Sequence, residues 1–243
     1  MHFYVYDEAL TQPKLAAALA NVEARLTDLE LHGRVGRLGP LKSAKDMVRQ
    51  AVRAGATTIV AVGTDTVVSE TLDAIAGTDT TLGIIPIGEP STIAHHLGVP
   101  AGERAVEVLA ARKVEIIDLG KIDTHFFLTE VEVAAAKPLT LECDERYTVS
   151  IPKTTNRVTL ANLTTAAHCQ DGYLEAHFTP PTKRSWLRAT TAITSTVPFK
   201  HVRIFAGEEE TATIQGNYTI KLPAIAEVMP RSLRVIVGRD RSF

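Results

Sequence analysis

The stretch that decides the fold is 57–100, which reads TTIVAVGTDTVVSETLDAIAGTDTTLGIIPIGEPSTIAHHLGVP. An apolar β-branched run at 58–62 is followed by the loop 63–66 and an amphipathic segment, and a second run at 82–86 is followed by the loop 88–90 and another helical segment. Such strand–loop–helix units are typical of parallel α/β folds, in which the loops after the strands face a ligand crevice. These two loops are therefore the first place to expect a bound small molecule.

The flanking segments extend the same alternation over the first half of the chain. Hydrophobic spacing and capping residues predict strands and helices at 2–6 (strand), 12–31 (helix), 35–38 (strand), 43–54 (helix), 91–97 (helix capped by Ser91), 103–111 (helix) and 114–119 (strand). Repeated crossovers of this kind predict an α/β N-terminal domain with a mostly parallel sheet, which we place at residues 1–124.

From His125 onward the pattern changes to short alternating or β-branched segments, and no long helical period remains. Turn residues separate predicted strands at 126–133, 139–142, 147–151, 157–163, 173–178, 192–196, 201–205, 211–214 and 233–237. This pattern predicts an all-β sandwich domain at residues 125–243. Its last strand is a candidate to pack back on the N-terminal domain.

Composition narrows the class of protein. The chain has 243 residues, 45% of them hydrophobic, which is enough to bury a substantial core. A net charge of -2 and the lack of a basic cluster with interleaved aromatic residues argue against a nucleic-acid partner. Cys143 and Cys169 are the only cysteines, which excludes a disulfide framework and a multi-thiolate zinc site. Because neither a signal-peptide pattern nor an apolar run of membrane-spanning length is present, we expect a cytoplasmic protein.

Two motifs in the opening stretch carry a resemblance to a known family. Residues 63–70, GTDTVVSE, align with a family motif that reads GGDGTVNE, and residues 85–100, IPIGEPSTIAHHLGVP, align without a gap with IPLGTGNDFARxLGIP. Farther on, 171–174 resembles the family's DGLL element and 233–237 its final LRVLVP-like strand. In this order the chain resembles the diacylglycerol kinase catalytic family, which includes bacterial lipid kinases and is related in fold to NAD kinases.

The resemblance implies ATP- and Mg²⁺-dependent transfer of phosphate to a diacylglycerol-like or long-chain lipid alcohol. Carried over position by position, it places the nucleotide against Gly63, Thr64, Asp65, Thr66, Glu70, Gly88, Glu89 and Ser91. Asp65 is the retained catalytic carboxylate by this alignment, and Asp65 and Glu89 are the candidate metal ligands. The alternative interpretation makes Asp65 the N-cap of its own helix and Glu70 a surface charge or a partner of the helix dipole.

Four of the residues at which the phosphate loops depart from the family bear directly on phosphate binding. Thr64 and Thr66 replace glycines, and a β-branched residue in the left-handed region costs about 1 to 2 kcal/mol. Glu89 brings a carboxylate toward the nucleotide, and two like charges about 5 Å apart repel by about 3 kcal/mol at an effective dielectric of about 20. A Mg²⁺ ion bound by Glu89 would reverse that sign. Pro90 removes one amide donor.

The position of the family's proposed general base is also changed. The family carries a late DGE sequence whose Asp is the proposed base for the lipid hydroxyl, and the matching residues in this chain are Gln215, Gly216 and Asn217. Carboxamides do not accept a proton usefully near neutral pH. The sequence therefore lacks a carboxylate at this position.

Three hypotheses about function remain open on the sequence alone. The first is an active lipid kinase that uses ATP and Mg²⁺. The second is a catalytically inactive kinase-fold protein that binds a nucleotide or a lipid, or acts as a scaffold or a partner in a homo-oligomer. The third, an NAD kinase, ranks below both because the sequence contains no NE/D segment of the kind expected to bind the nicotinamide nucleotide.

Overall fold

The structure is a computed structural model, and it describes residues 1–39, 43–134, 138–151, 157–165, 167–179, 195–206 and 210–243. Residues 192–194 of the predicted strand at 192–196 lie outside these ranges. The chain divides into two compact units, which are Met1–Ile117 with Arg231–Phe243, and Asp118–Pro230.

The first unit is a parallel sheet with helices. Its strands are β1 (His2–Tyr6), β2 (Gly33–Arg37), β3 (Thr58–Gly63) and β4 (Thr81–Pro86), and its helices are α1 (Ala16–Asp28), α2 (Ala44–Arg53), α3 (Asp65–Ile75), α4 (Thr92–His96) and α5 (Arg104–Ala111). The strands run in the order β2-β1-β3-β4, and each neighbouring pair is parallel. Every residue of β3 and β4 is buried, as expected for a parallel sheet that is covered on both faces.

The helix predicted at 12–31 is shorter than expected at both ends. Pro13 opens a 3₁₀ turn that ends at Leu15, and α1 begins only after it. Proline has no amide hydrogen to donate to a preceding turn, which fits its position at the start of this short element. At the other end Glu30 takes a positive φ of 53°, which stops the helix.

The second unit is formed by antiparallel strands. The strand β5 (Val114–Ile122) enters it from the first unit, and the strands that follow are β6 (His125–Phe127), β7 (Glu130–Ala134), β8 (Leu139–Cys143), β9 (Tyr147–Ile151), β10 (Arg157–Ala161), β11 (Leu174–Thr179), β12 (Ser195–Phe199), β13 (His201–Phe205), β14 (Thr211–Ile214), β15 (Tyr218–Lys221) and β16 (Ala224–Ile236). One sheet has the order β12-β11-β10-β7-β14-β15, and the path β16-β13-β8-β9 forms the other.

A single hydrophobic core joins the two sheets of the second unit. It contains Leu160 and Ala176 from one sheet and Leu141 and Val202 from the other, all fully buried. The fold class predicted from the sequence, an α/β domain followed by an all-β sandwich, is therefore confirmed. The predicted strand at 126–133 is divided into β6 and β7, because the amides at the break bond to a side chain instead of a neighbouring strand.

The last residues of β16 and the segment after it complete the first unit. Arg234 and Val235 pair in parallel with the first residues of β4. The amide of Gly238 then donates to the carbonyl of Leu97 at 2.9 Å, at the carboxyl end of α4. His96 is buried beside this segment, and burial, followed by the neighbouring His95, lowers the pKa of His96. The carboxyl end of α4 is thus satisfied by backbone from the end of the chain.

Among the described residues, no helix is long and apolar enough to cross a membrane.

Substitution of Gly238 tests the contact between the final segment and α4. Gly238→Ala should lower the free energy of unfolding by about 1 to 3 kcal/mol, because overpacking carries that penalty and the added Cβ would lie 1.7 Å from the backbone oxygen of Gly98. Gly39→Ala is the matched control, since no atom of the described residues lies within 4 Å of its added Cβ. Urea unfolding followed by circular dichroism measures both, and equal midpoints for the two variants would contradict this packing.

Candidate functional site

The carboxylate of Asp65 connects the loops that follow β3 and β4. Its Oδ1 accepts a hydrogen bond from the Ser91 hydroxyl, and its Oδ2 accepts from the amides of Thr92 at 2.9 Å and Ile93 at 3.3 Å. The Ser91 oxygen in turn accepts from the amide of Ala94 at 2.9 Å. Asp65 and Ser91 therefore cap the amino end of α4 together, and Ser91 is the N-cap that the sequence predicted.

This arrangement explains how so short a helix forms. A helix of five residues is not stable alone in water, because nucleation fixes several residues for few hydrogen bonds. In this loop a full negative charge lies at the positive end of the helix dipole and satisfies amides that have no partner within the helix. The N-cap of α3 is Thr64, so the Asp65 side chain caps the next helix along the chain and not its own.

Asp7 plays a similar part in the loop that follows β1. Its Oδ2 accepts from the amide of Thr64 at 3.0 Å and from the Thr64 hydroxyl, while its Oδ1 accepts from the amide of Ala9 at 2.9 Å. Gly63 makes room for this contact, since it has a φ of 137° and an added Cβ would lie 2.3 Å from the Asp7 Cβ. Asp7 was not singled out from the sequence, although an acid at the end of a strand of this sheet was a usable signal.

The strain expected from the two threonines does not occur, so that expectation was wrong. Thr64 has a φ of -89° and a ψ of 172°, which is extended backbone that a β-branched residue adopts readily. Thr66 lies inside α3 and is exposed. Within the loop 63–66 the residue with a positive φ is Gly63. The amide and the hydroxyl of Thr64 donate hydrogen bonds to Asp7.

A cavity of about 350 Å³ lies at this edge of the first unit, and its lining contains Ala9, Gln12, Lys14, Leu15, Thr64, Gly88 and Glu89. Lys14 and Glu89 are both exposed and give the cavity one cation and one carboxylate. Neither forms an ion pair with another described residue. The cavity follows the carboxyl ends of β1, β3 and β4, where ligands of open parallel sheets bind.

The predicted nucleotide residues thus fall into three groups in the structure. Thr64, Gly88 and Glu89 line the cavity. Gly63, Asp65 and Ser91 shape the loops around it. Thr66 and Glu70 lie on α3 and are not among the residues that line it. The residues that the sequence did not single out are Asp7, Gln12 and Lys14.

The candidate metal ligands are Asp65 and Glu89, and they differ in what their oxygens do. Asp65 already accepts three hydrogen bonds, whereas Glu89 forms no ion pair with a described residue. In the part of the chain that the structure describes, no three His, Cys, Asp or Glu side chains form a group that could hold a metal ion. Mg²⁺ binds in proteins through one or two carboxylates plus substrate phosphates, so an ion at this site would need a bound nucleotide to supply its other ligands.

Gln215 and Asn217, at the family's carboxylate positions, belong to the turn between β14 and β15. The Gln215 Oε1 accepts from the amides of Leu128 at 2.7 Å and Thr129 at 3.0 Å, which are the amides at the break between β6 and β7. The amide of Asn217 donates to the carbonyl of Ile214 at 2.9 Å and closes the turn. The side-chain oxygen of Gln215 therefore accepts hydrogen bonds from backbone amides of its own unit.

A second polar cluster in the same unit holds the element that resembles DGLL. Asp171 accepts from the amide of Tyr173 at 3.0 Å, and the amide of Gly172 donates to Asp118 at 2.8 Å. Asp118 is buried, and its carbonyl accepts from the side chain of Asn162 at 3.0 Å. The hydrogen bonds of this cluster join side chains to backbone within the second unit, which indicates a structural role.

Comparison with known proteins shows which family the first half of the chain is similar to. The model of the diacylglycerol kinase catalytic domain matches residues 4–122. This match covers 119 of the 243 residues, so this part of the chain is similar to that family's catalytic domain. The chain is also 33% identical over 105 residues to a diacylglycerol kinase of Mycobacterium tuberculosis, with the same figures for proteins of two strains. That alignment covers 37% of this chain and 34% of the relatives, so the match spans about a third of their length.

The diacylglycerol kinase fold extends over nearly the whole chain. The crystal structure of a diacylglycerol kinase from Bacillus anthracis str. Sterne superimposes with a TM-score of 0.81 and 18% sequence identity, covering 98% of this chain and 97% of that one. At this identity the likeness establishes the fold. The resemblance that the motifs indicated is thereby confirmed.

Removal of the Asp65 carboxylate tests its role as a cap. Asp65→Ala should lower the free energy of unfolding by about 1 to 2 kcal/mol, because loss of a capping side chain carries a penalty of that size and leaves the α4 amides without their acceptor. Asp79→Ala removes an exposed carboxylate from the same unit and is the matched control. Thermal and urea unfolding measure both variants, and an Asp65→Ala protein as stable as the control would show that the cap contributes nothing.

Proposed function

We propose that this chain is a nucleotide-binding member of the diacylglycerol kinase family that does not transfer phosphate. The observation that carries the proposal is the position of Asp65, the residue aligned with the family's retained carboxylate. Its two oxygens accept hydrogen bonds from Ser91, Thr92 and Ile93. A carboxylate oxygen pair offers about four acceptor sites, so three are already taken by the chain itself.

The turn at 215–217 supports the same proposal. A general base for a lipid hydroxyl must accept a proton near neutral pH, and the carboxamide of Gln215 does not. Its oxygen also accepts two backbone hydrogen bonds, so a carboxylate at this position would accept hydrogen bonds from the same two amides. Hydrogen bonds to the charged form of a carboxylate lower its pKa, which would make it a weaker base.

The cavity beside Lys14 and Glu89 is the basis for nucleotide binding. Its position after three parallel strands is that of nucleotide sites in open α/β sheets, and the Lys14 ammonium offers one cation to a phosphate. Glu89 repels phosphates unless Mg²⁺ lies between them, so we expect Mg²⁺ to strengthen binding of ATP. The proposal includes ATP with Mg²⁺ as ligands and the cytoplasmic location expected from the sequence.

An active lipid kinase is the second candidate. The observation that favours it is the match of residues 4–122 to the catalytic domain together with a fold shared over 98% of the chain. Under this candidate Asp65 would have to leave its hydrogen bonds to α4 when ATP and Mg²⁺ bind. The substrate would be a diacylglycerol-like or long-chain lipid alcohol.

Thermal-shift measurements with ATP, ADP and NAD, each with and without Mg²⁺, test nucleotide binding. A nucleotide at about a hundred times its dissociation constant should stabilise the native state by about 2.7 kcal/mol. Lys14→Gln should reduce the shift, whereas Lys45→Gln, a lysine on α2 outside the cavity, should leave it unchanged. The absence of a shift with every nucleotide would overturn the binding part of the proposal.

Transfer of phosphate from radiolabelled ATP across a panel of lipid alcohols tests the other part. We expect no transfer from the wild-type chain, and none after Gln215→Asp with Asn217→Glu, because Asp65 still caps α4. Transfer by the wild-type protein would establish the active kinase in place of this proposal. Transfer by the double variant alone would show that the phosphate loops are competent and that only the base is missing.

A further inference from the structure

A second cavity in the first unit is lined in part by Gly98 and Pro100, which follow the end of α4 opposite to the Asp65 cap. Its volume is about 530 Å³, larger than that of the candidate nucleotide cavity. One wall is formed by α5 and the residue before β5, and the other by the residues that follow β16. It shares no lining residue with the cavity beside Lys14.

Three cations line this cavity, namely Arg104, Lys113 and Arg239. Arg104 and Arg239 are exposed and form no ion pair with any described residue. The Lys113 ammonium lies 3.8 Å from Glu115, but Glu115 also pairs with Arg241 at 3.0 Å, so two cations share one carboxylate.

Two carboxylates line the same cavity, and one of them pairs with Arg25, which also lies 4.0 Å from the carboxylate of Asp28. Glu107 accepts a hydrogen bond from Arg25 at 3.0 Å, so its charge is paired with a cation that does not line the cavity. Asp240, which pairs with no cation among the described residues, remains as one carboxylate against the two guanidinium groups of Arg104 and Arg239. The lining therefore has an excess of positive charge in a protein whose net charge is -2.

The rest of the lining is apolar, with Val108 and Ala111 from α5 and Val237 after β16. Low-dielectric walls strengthen the field of charges at the rim of a cleft and raise the local concentration of a ligand of opposite sign. Guanidinium groups bind phosphate oxygens in a bidentate geometry, which a water-exposed lysine does not provide. The apolar surface leaves room for an organic group beyond the anion itself.

We propose that this cavity binds a phosphomonoester, with its dianionic phosphate between Arg104 and Arg239 and its organic part against Val108 and Val237. A phosphomonoester carries about -1.5 to -2 charges at neutral pH, which matches these two guanidinium groups. The source is a soluble phosphomonoester or a lipid phosphomonoester headgroup. The proposal is independent of whether the chain transfers phosphate.

Isothermal titration calorimetry with inorganic phosphate and with glycerol 3-phosphate, at ionic strength held constant with chloride, tests the soluble source. We expect saturable binding of one phosphomonoester per chain. The double substitution Arg104→Gln with Arg239→Gln should weaken it by about tenfold or more, as expected for loss of charge-assisted hydrogen bonds. Arg49→Gln, an exposed arginine on α2, is the matched control and should bind as the wild type does.

Lys14→Gln separates this cavity from the nucleotide cavity. Phosphate binding that survives Lys14→Gln and is lost in the double arginine variant belongs to the second cavity. Binding lost in Lys14→Gln and kept in the double arginine variant would overturn the proposal. Amide chemical shifts of Gly238 and Arg239 report occupancy directly in the wild-type protein, so the result does not depend on any variant.

Sedimentation with phosphatidylcholine vesicles, with and without phosphatidate, tests the lipid source. Binding that requires phosphatidate and falls in the double arginine variant identifies a lipid headgroup as the ligand. Absence of saturable binding to both soluble probes, together with no effect of phosphatidate, would overturn the proposal.

Discussion

The loops of the first unit depend on carboxylates that accept hydrogen bonds from the chain itself. Asp65 joins the loop after β3 to the amino end of α4, and Asp7 joins the loop after β1 to Thr64. Both anions are paired with amide and hydroxyl donors, which fixes three adjacent loops relative to one another. Charge-assisted hydrogen bonds of this kind are stronger than neutral ones, and they leave little acceptor capacity for a ligand.

In the second unit, too, a side chain at one of the family's reactive positions forms hydrogen bonds with the chain's own backbone. Gln215 stands where the family has a carboxylate, and its oxygen holds the amides at the break between β6 and β7. The chain thus keeps the fold of a diacylglycerol kinase while the groups at the family's reactive positions serve as structural acceptors. This combination is the ground for our proposal that the chain binds a nucleotide and does not transfer phosphate.

Local patterns in the sequence were sufficient to predict the fold and the two loops that contribute to the cavity. The β-branched runs at 58–62 and 82–86 became fully buried parallel strands, and Ser91 was found at the N-cap of α4. The role of Asp65 was not readable from the sequence, because its partners lie 26 to 28 residues along the chain and meet it only in the folded state. The backbone strain expected at Thr64 is absent because Gly63, and not Thr64, has the positive φ in this loop.

Hydrogen exchange at the amides of Thr92 and Ile93 tests most directly whether Asp65 is a structural acceptor. The measurement is made on the full chain, with and without saturating ATP and Mg²⁺. If Asp65 remains the cap of α4, both amides keep their protection when the nucleotide is present. Faster exchange at these two amides on addition of ATP and Mg²⁺ would show that Asp65 leaves the helix for the ligand, and would contradict its role as a structural acceptor.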